Sequence, residues 1–158
     1  MLKGKYLLSS SPEGAVVTDL RKRIPEFGTG SDENDTMAFY ALVYDENDEP
    51  SACGRLYIDE SNHFRIDTVG VLPEKRRQYM GDLVARMLLY KSEELNAPRI
   101  DALVPKNLIY FFARYGFKSV AERGGQMEMS VDQAAIRLEG SCSKGDGSAC
   151  TGDCDNCK

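Results

Sequence analysis

Two spacings of apolar residues divide this chain into elements. A short apolar run from Lys5 to Leu8 reads as a first strand. Val16, Val17, Leu20 and Ile24 then recur at helical spacing, which predicts a helix with one inward face. Ser9, Ser10 and Ser11 ahead of Pro12 supply its start, and Pro25 its end. Residues 26–36, with Gly28, Gly30 and several Asp and Asn, form a loop. Met37 to Tyr44 is strongly β-prone, and Asp45-Glu46-Asn47-Asp48 is a turn. From Ala52 to Ile58 the period is two, with Leu56 and Ile58 on one face and Arg55 and Tyr57 on the other. A second polar turn, Asp59 to Asn62, leads into Phe64 to Val71, and Pro73 closes that strand. These three strands read as an antiparallel meander.

Helical spacing returns with Leu83, Val84, Met87, Leu88 and Leu95, predicting a helix over about 81–96 that stops at Asn96-Ala97-Pro98. Ile100 to Val104 is a buried strand, which a crossover helix sets parallel to the fourth. Asn107 to Tyr115 is a short helix with Gly116 as its stop. Phe117–Val120 and Gln126–Val131 pair around Gly124-Gly125, and Asp132 caps a last short helix, Gln133 to Leu138. The order is that of an α+β fold: a mixed central sheet, mostly antiparallel with one parallel pair, flanked by helices.

Composition adds bounds. At 158 residues the chain is long enough for one domain with a proper core. We divide it into a folded domain, 1–139, and a compositionally distinct tail, 140–158. No apolar run has membrane-spanning length and the first residues lead into a strand, so the expectation is a cytoplasmic protein with no membrane partner. A net charge of −5 argues against a nucleic-acid partner. The charge is uneven: residues 32–49 carry Asp32, Glu33, Asp35, Asp45, Glu46, Asp48 and Glu49 without a single Lys or Arg. Such a stretch is either a set of solvated turns or an acidic rim that steers a cationic partner.

The candidate chemistry lies in residues 68–88. A β-branched run ends at Val69 and Val71, and Lys75, Arg76 and Arg77 follow. Gly81 then opens the long helix with no Cβ to keep a ligand away from the backbone. Unpaired N–H groups and a partial positive charge at a helix start suit a phosphate, and the three cations add full charges there.

The stretch Gln78-Tyr79-Met80-Gly81-Asp82-Leu83 resembles the acyl-CoA-binding motif of the GNAT superfamily of N-acetyltransferases, Arg/Gln-x-x-Gly-x-Gly/Ala. Leu83 stands where the second Gly or Ala belongs. Val-x-Leu-Pro-Glu-x-Arg-Arg before it, and Asn107 and Tyr115-Gly116-Phe117 after it, extend the resemblance over roughly residues 2–130. It implies a GNAT-like sheet whose parallel pair splays open around the thioester. It implies acetyl transfer from acetyl-CoA, as cosubstrate, to a primary amine: a small molecule, a peptide N-terminus or a lysine, with a cationic acceptor and a homodimer among the options. By the same resemblance the backbone of Val69, Gly70 and Val71 would pair with the pantetheine arm. Arg76, Arg77, Gln78, Tyr79, Met80, Gly81 and Asp82 would hold the pyrophosphate, with Asp82 acceptable only if its carboxylate points away. Asn107 would contact the cofactor arm, or else cap a helix.

For catalysis the family often uses a Glu on the fourth strand as base, and the candidate here is Asp67. Strict alternation places it on the face of Arg65, Val69 and Val71, where an ion pair with Arg55 or Arg65 is the competing role. The family's leaving-group acid is a Tyr in Phe-Tyr-x-x-x-Gly-Phe. Phe112 occupies that position here, leaving Tyr115, water or no acid at all. A second reading follows: an acyl-CoA-binding regulatory module whose tail senses metal or redox state.

The tail holds Cys142, Cys150, Cys154 and Cys157 among Gly, Ser and Asp, which cannot build a core. Four thiolates would satisfy Zn²⁺ or another thiophilic metal; disulfides or a flexible tail are the alternatives. Cys53 reads as a core residue and His63 as a surface one.

Overall fold

The computed structural model describes residues 1–27 and 32–138. Gly28 and Gly30 of the first loop, the 140–158 segment and its four cysteines lie outside the described residues. Seven strands form one sheet: β1 (Lys3–Leu8), β2 (Ala38–Tyr44), β3 (Pro50–Ile58), β4 (Phe64–Val71), β5 (Arg99–Pro105), β6 (Lys118–Arg123) and β7 (Gln126–Asp132). Their order across the sheet is β1-β2-β3-β4-β5-β7-β6, and every neighbouring pair is antiparallel except β4 and β5. Among the described residues three helices accompany it: α1 (Gly14–Lys22), α2 (Met80–Glu94) and α3 (Ile109–Ala113). Among the described residues no helix is long and apolar enough to cross a membrane.

The helices divide the core between the two faces of the sheet. Val84, Ala85, Leu88 and Leu89 of α2 pack with Ala41, Leu56, Ile66, Ile100 and Val104 on one face. Val17 and Leu20 of α1 meet Tyr40, Leu42 and Cys53 on the other. Cys53 is buried in this second cluster, as its sequence context suggests, and burial pushes its thiol up to about 11. Gly54 lets α2 lie flat on β3. A Cβ there would sit 2.6 Å from Val84 Cγ1 and 2.7 Å from Leu88 Cδ1.

Three element ends depart from the sequence expectation. No serine side chain caps α1; Glu13 takes the N-cap position, and Ser11 Oγ accepts the Glu13 N–H at 3.2 Å instead. The helix expected over Asn107–Tyr115 is a 3-10 turn, Lys106–Leu108, followed by the five residues of α3. The last helix is a 3-10 turn, Gln133–Ala135, with no side-chain cap from Asp132. The chain then returns along the core, where the Arg137 N–H bonds Tyr115 O at 2.8 Å.

One departure has functional weight. Strict alternation along β4 fails at Thr68, whose φ is +46°. Cys53 pairs with Gly70 and Arg55 with Asp67, so Gly54 alone opposes both Thr68 and Val69. This is a β-bulge, and it reverses the facing of every later residue. Asp67 therefore shares a face with Arg65 and Arg55, while Val69 and Val71 turn to the α2 side. Val69 Cγ2 would lie 3.3 Å from a Cβ on Gly54, and Val71 Cγ2 lies 3.6 Å from the Cβ position of Gly81. The expected shared face of Asp67, Val69 and Val71 is thus corrected by a single inserted residue.

Gly54→Ala is expected to destabilise the fold by roughly 1–3 kcal/mol through overpacking. Urea unfolding should show a lower midpoint with an unchanged slope; an unchanged midpoint would mean that α2 does not bear on β3 here.

Candidate functional site

The site is built where β4 and β5 part. Their parallel pairing comprises only Phe64 with Ile100 and Arg65 with Asp101. Beyond Arg65, β4 turns away through its bulge while β5 stays paired to β7 along its whole length. The β4 edge from Ile66 to Val71 consequently faces a gap with no strand partner on that side. Unpaired N–H and C=O groups along such an edge are a template for an extended ligand.

The first turn of α2 stands at the mouth of this gap. The Cβ position of Gly81 is 3.6 Å from Val71 at the end of β4 and 3.9 Å from the Phe111 ring of α3. These are ordinary contacts and the backbone is not left-handed there, so neither packing nor conformation requires a glycine at 81. The helix starts on Tyr79, which is left-handed (φ +64°) and provides no side-chain cap. The Leu83 N–H closes the first helical bond on Tyr79 O at 3.0 Å. The amides just before it have no carbonyl within the helix to bond and point outward.

The three cations of the preceding loop are not equivalent. Lys75 pairs with Asp45 at 2.6 Å, which, with backbone amides of Glu49 and Asn47, holds the Asp45 carboxyl down at about 2. Arg76 donates to both oxygens of Glu26 at 2.8 and 3.1 Å and to Val71 O at 3.1 Å. Arg77 is left-handed (φ +65°), exposed, and has no ion-pair partner among the described residues. It is the cation left available beside the helix start. Gln78 and Tyr79 are exposed with it, and Met80 is buried in the core.

The Asp82 carboxylate is engaged by two side chains. Its carboxylate accepts the Tyr115 hydroxyl and, at 2.9 Å, Arg86 Nε. Arg86 also donates to Leu138 O. Burial, and then the Asp82 carboxylate, push the Tyr115 hydroxyl well above its ordinary range. Phe112 lies in the core, edge-on to Phe111 and Phe117 at ring-centre distances of 5.3 and 5.4 Å. Asn107 is exposed inside its 3-10 turn, caps neither that turn nor α3, and makes no side-chain hydrogen bond among the described residues.

Asp67 sits immediately before the bulge. Arg55 grips it with Nε–Oδ1 2.7 Å and Nη2–Oδ2 2.6 Å, the ion pair that the sequence held as its competing role. Arg55 is only 1% exposed and also donates to Asp32 and, at 3.1 Å, to Asp35. Asp35 in turn accepts Arg21 Nη1 at 2.8 Å and the Tyr40 hydroxyl at 2.6 Å. Two buried arginines thereby dock the 3-10 turn Glu33–Asp35 onto the sheet. Much of the acidic stretch is therefore consumed in structure rather than left as a free rim. The sequence anticipates the pair of Arg55 with Asp67, but not the links of Arg55 and Arg21 to Asp32, Asp35 and Tyr40, nor Phe27 lying over Gly70. A Cβ on Gly70 would fall 2.5 Å from the Phe27 ring. The glycine itself was the only available signal of that approach.

Among the described residues no group of three His, Cys, Asp or Glu is arranged to hold a metal ion. No protein-family sequence model matches the chain. Solved structures do resemble it. An acyl-CoA N-acyltransferase from Pseudomonas aeruginosa superposes with TM-score 0.71 at 18% identity, covering 82% of this chain and 99% of that one. ElaA of Escherichia coli gives 0.70 at 19% identity, covering 84% and 100%. A GNAT family acetyltransferase from Elizabethkingia anophelis, solved with acetyl-CoA bound, gives 0.65 at 14% identity, covering 83% and 97%.

The buried network makes a pH prediction. Burial pushes the Asp35 carboxyl up, but the bonds from Tyr40 and Arg21 outweigh it and bring it down to about 2 from an ordinary 3.8. A carboxyl lowered on folding contributes stability above its unfolded value and loses it as pH falls through the folded one. The stability advantage of wild type over Asp35→Asn should be full above about pH 5 and shrink toward pH 2. Urea titrations at several pH values measure it, and a constant difference would remove Asp35 from the network's energetics. The sheet order, the single parted parallel pair and the helix start at its mouth give the chain the fold of the GNAT N-acetyltransferases.

Proposed function

We propose that this protein is an N-acetyltransferase that moves an acetyl group from acetyl-CoA to a primary amine. The observation that carries the reading is the unpartnered β4 edge ending at an uncapped helix start, with a free arginine beside it. The pantetheine arm would run along Val69, Gly70 and Val71 as a surrogate strand. Its diphosphate would meet the amides from Arg77 to Gly81, with Arg77 supplying the mobile charge and Arg76 shared with Glu26. Gly81, required by nothing in the free protein, is accounted for by the approach of a ligand to its backbone.

In this arrangement the amine nitrogen attacks the thioester carbon, the C–S bond breaks and the sulfur leaves as thiolate. An N–H of the open edge polarises the carbonyl. Asp67 Oδ1 accepts Arg55 Nε and, at 3.5 Å, the Thr68 hydroxyl, whereas Oδ2 accepts Arg55 Nη2 and keeps a lone pair, so Oδ2 can take the proton of the attacking amine through a water. The thiolate takes its proton from solvent. Tyr115, raised and bound to Asp82, is a poor acid; its part is to hold that carboxylate off the diphosphate.

The Phe at 112 and the committed Tyr115 hydroxyl favour one second reading, a module that binds acyl-CoA without turning it over. Incubation with acetyl-CoA and an amine panel, read by mass detection of acetylated product, separates the two. The enzyme forms product above the hydrolysis background. A protein that binds CoA and forms none is the module.

The cofactor site has its own test. In the free protein Gly81→Glu has room for its Cβ and places an acid in a helix first turn, where the dipole favours it. Its melting temperature should stay within about 2 °C of wild type, or rise. Calorimetric affinity for coenzyme A should fall at least about tenfold, since the added carboxylate meets a diphosphate. Equal affinity for the two proteins would place the diphosphate elsewhere.

A further inference from the structure

We propose that the acceptor is an amine that carries a carboxylate, held by that carboxylate at a cation-rimmed cavity on the sheet face opposite α2. The proposal rests on the acetyl-transfer reading and names its substrate class.

The cavity, about 480 Å³, is lined by residues of β4 to β7 and of the turn before β4, with no helix residue in its wall. Its charges are sorted by depth. The two carboxylates lie at the floor: the side chain of Asp101 is 8% exposed and that of Glu128 14%. Both are already neutralised there. Arg65 holds Glu128 through two nitrogens at 2.9 and 3.0 Å, and Arg99 Nε holds Asp101 at 3.1 Å. The Arg65 side chain lies nearly as deep, 18% exposed, and it is the guanidinium groups of Arg99 and Arg123 that reach the mouth. Arg99 is 47% exposed, and Arg123 is exposed with no ion-pair partner among the described residues. A ligand entering this cavity therefore meets cations before it meets acids, on a protein whose net charge is −5. Charge complementarity selects an anion, and a planar guanidinium fork selects a carboxylate geometry.

The cavity is also positioned for an acceptor. Leu103 lines it and lies beyond the last β4–β5 pair, so the cavity wall continues into the gap where the thioester would sit. Arg123 stands opposite Gln126, which pairs with Pro105 at the open end of β5. Arg65, on the Asp67 face of β4, borders the cavity from the other side. A molecule with its carboxylate on Arg123 would lie at the end of the cavity where β5 has left β4, with its amine free to reach the gap. Leu103 and the exposed Val120 offer its carbon skeleton an apolar surface.

The test compares matched acceptors: amino acids against the amines that remain when the carboxylate is removed. The acids are expected to show kcat/KM at least about tenfold higher, the size of one charge-assisted bond. Arg123→Ala should erase most of that preference through KM rather than kcat, and Arg123→Lys should recover part of it. Equal kcat/KM for the two classes, or a preference untouched by Arg123→Ala, would overturn the proposal. A second arm needs no turnover. N-acetylated amino acids titrated into isotope-labelled protein should shift amide resonances of residues 99–103 and 123–130, and weakly so in Arg123→Ala. Acetylation of amines without such shifts would sink the carboxylate site alone. Those shifts in a protein that binds CoA and acetylates nothing would sink the transfer reading alone.

Discussion

The parting of β4 from β5 is the constraint on which the rest of the molecule depends. A parallel pair that ran its full length would leave no edge free, no gap at the sheet centre and no reason for α2 to begin where it does. One inserted residue prevents this. Thr68 at φ +46° is costly for a β-branched side chain, of order 1–3 kcal/mol, so its neighbours must hold it in place. On one side Arg55 clamps Asp67 through both carboxylate oxygens. On the other, Gly70 lies under the Phe27 ring with no room for a side chain. The bulge is fastened at both ends, and the strand edge beyond it is aimed into the gap.

The fastening also explains how a chain so rich in acid in one stretch can have a usable site. Asp32 and Asp35 turn inward onto Arg55 and Arg21, and Asp45 takes Lys75. Breaking such a partly buried network by removing one arginine would strand carboxylates without compensation, which typically costs more than the intact pairing contributes. The loop before β2 is thereby tied to the same arginine that positions Asp67. Glu26 makes a separate pair with Arg76 in the loop before α2.

Much of this could be read from the residues. Periodicity located the strands and the two longer helices because each buries a face, and burial is what the spacing of Val16–Ile24 or Leu83–Leu88 records. The strand, loop and helix around residues 68–88 were legible because their pattern is local: a strand, cations, then a glycine opening a helix. The burial of Cys53 followed from the same local chemistry. The bulge was not legible, since Thr68 carries no glycine or asparagine signature for a positive φ and alternation is the default. Arg55 was legible as a cross-strand partner of Asp67, but not its bonds to Asp32 and Asp35, which lie 20 to 23 residues away in a segment that only the fold assembles. The distinction among Lys75, Arg76 and Arg77 was equally hidden. All three look alike in sequence, and only their distant partners show that one remains free.

The position of the missing acid is instructive for how the chemistry must run. With Phe at 112 the thiolate has no aromatic hydroxyl at the place where the resemblance would put one, and Tyr115 is bound to Asp82 in a buried pair. A phenol raised in that way would lose free energy by giving its proton to a thiolate, whose own pKa is near that of an ordinary thiol at about 8.5. A thiolate can instead leave unprotonated, because its charge is tolerable in water and is stabilised near an arginine and a helix start. On the proposed reading the difficult step is then the removal of a proton from the ammonium form of the acceptor, the task proposed for Asp67. Catalysis in such a site would depend less on the leaving group than on holding the amine deprotonated against the thioester. That places the burden on the acceptor side of the gap, where the sheet offers Asp67 and the cavity beyond it.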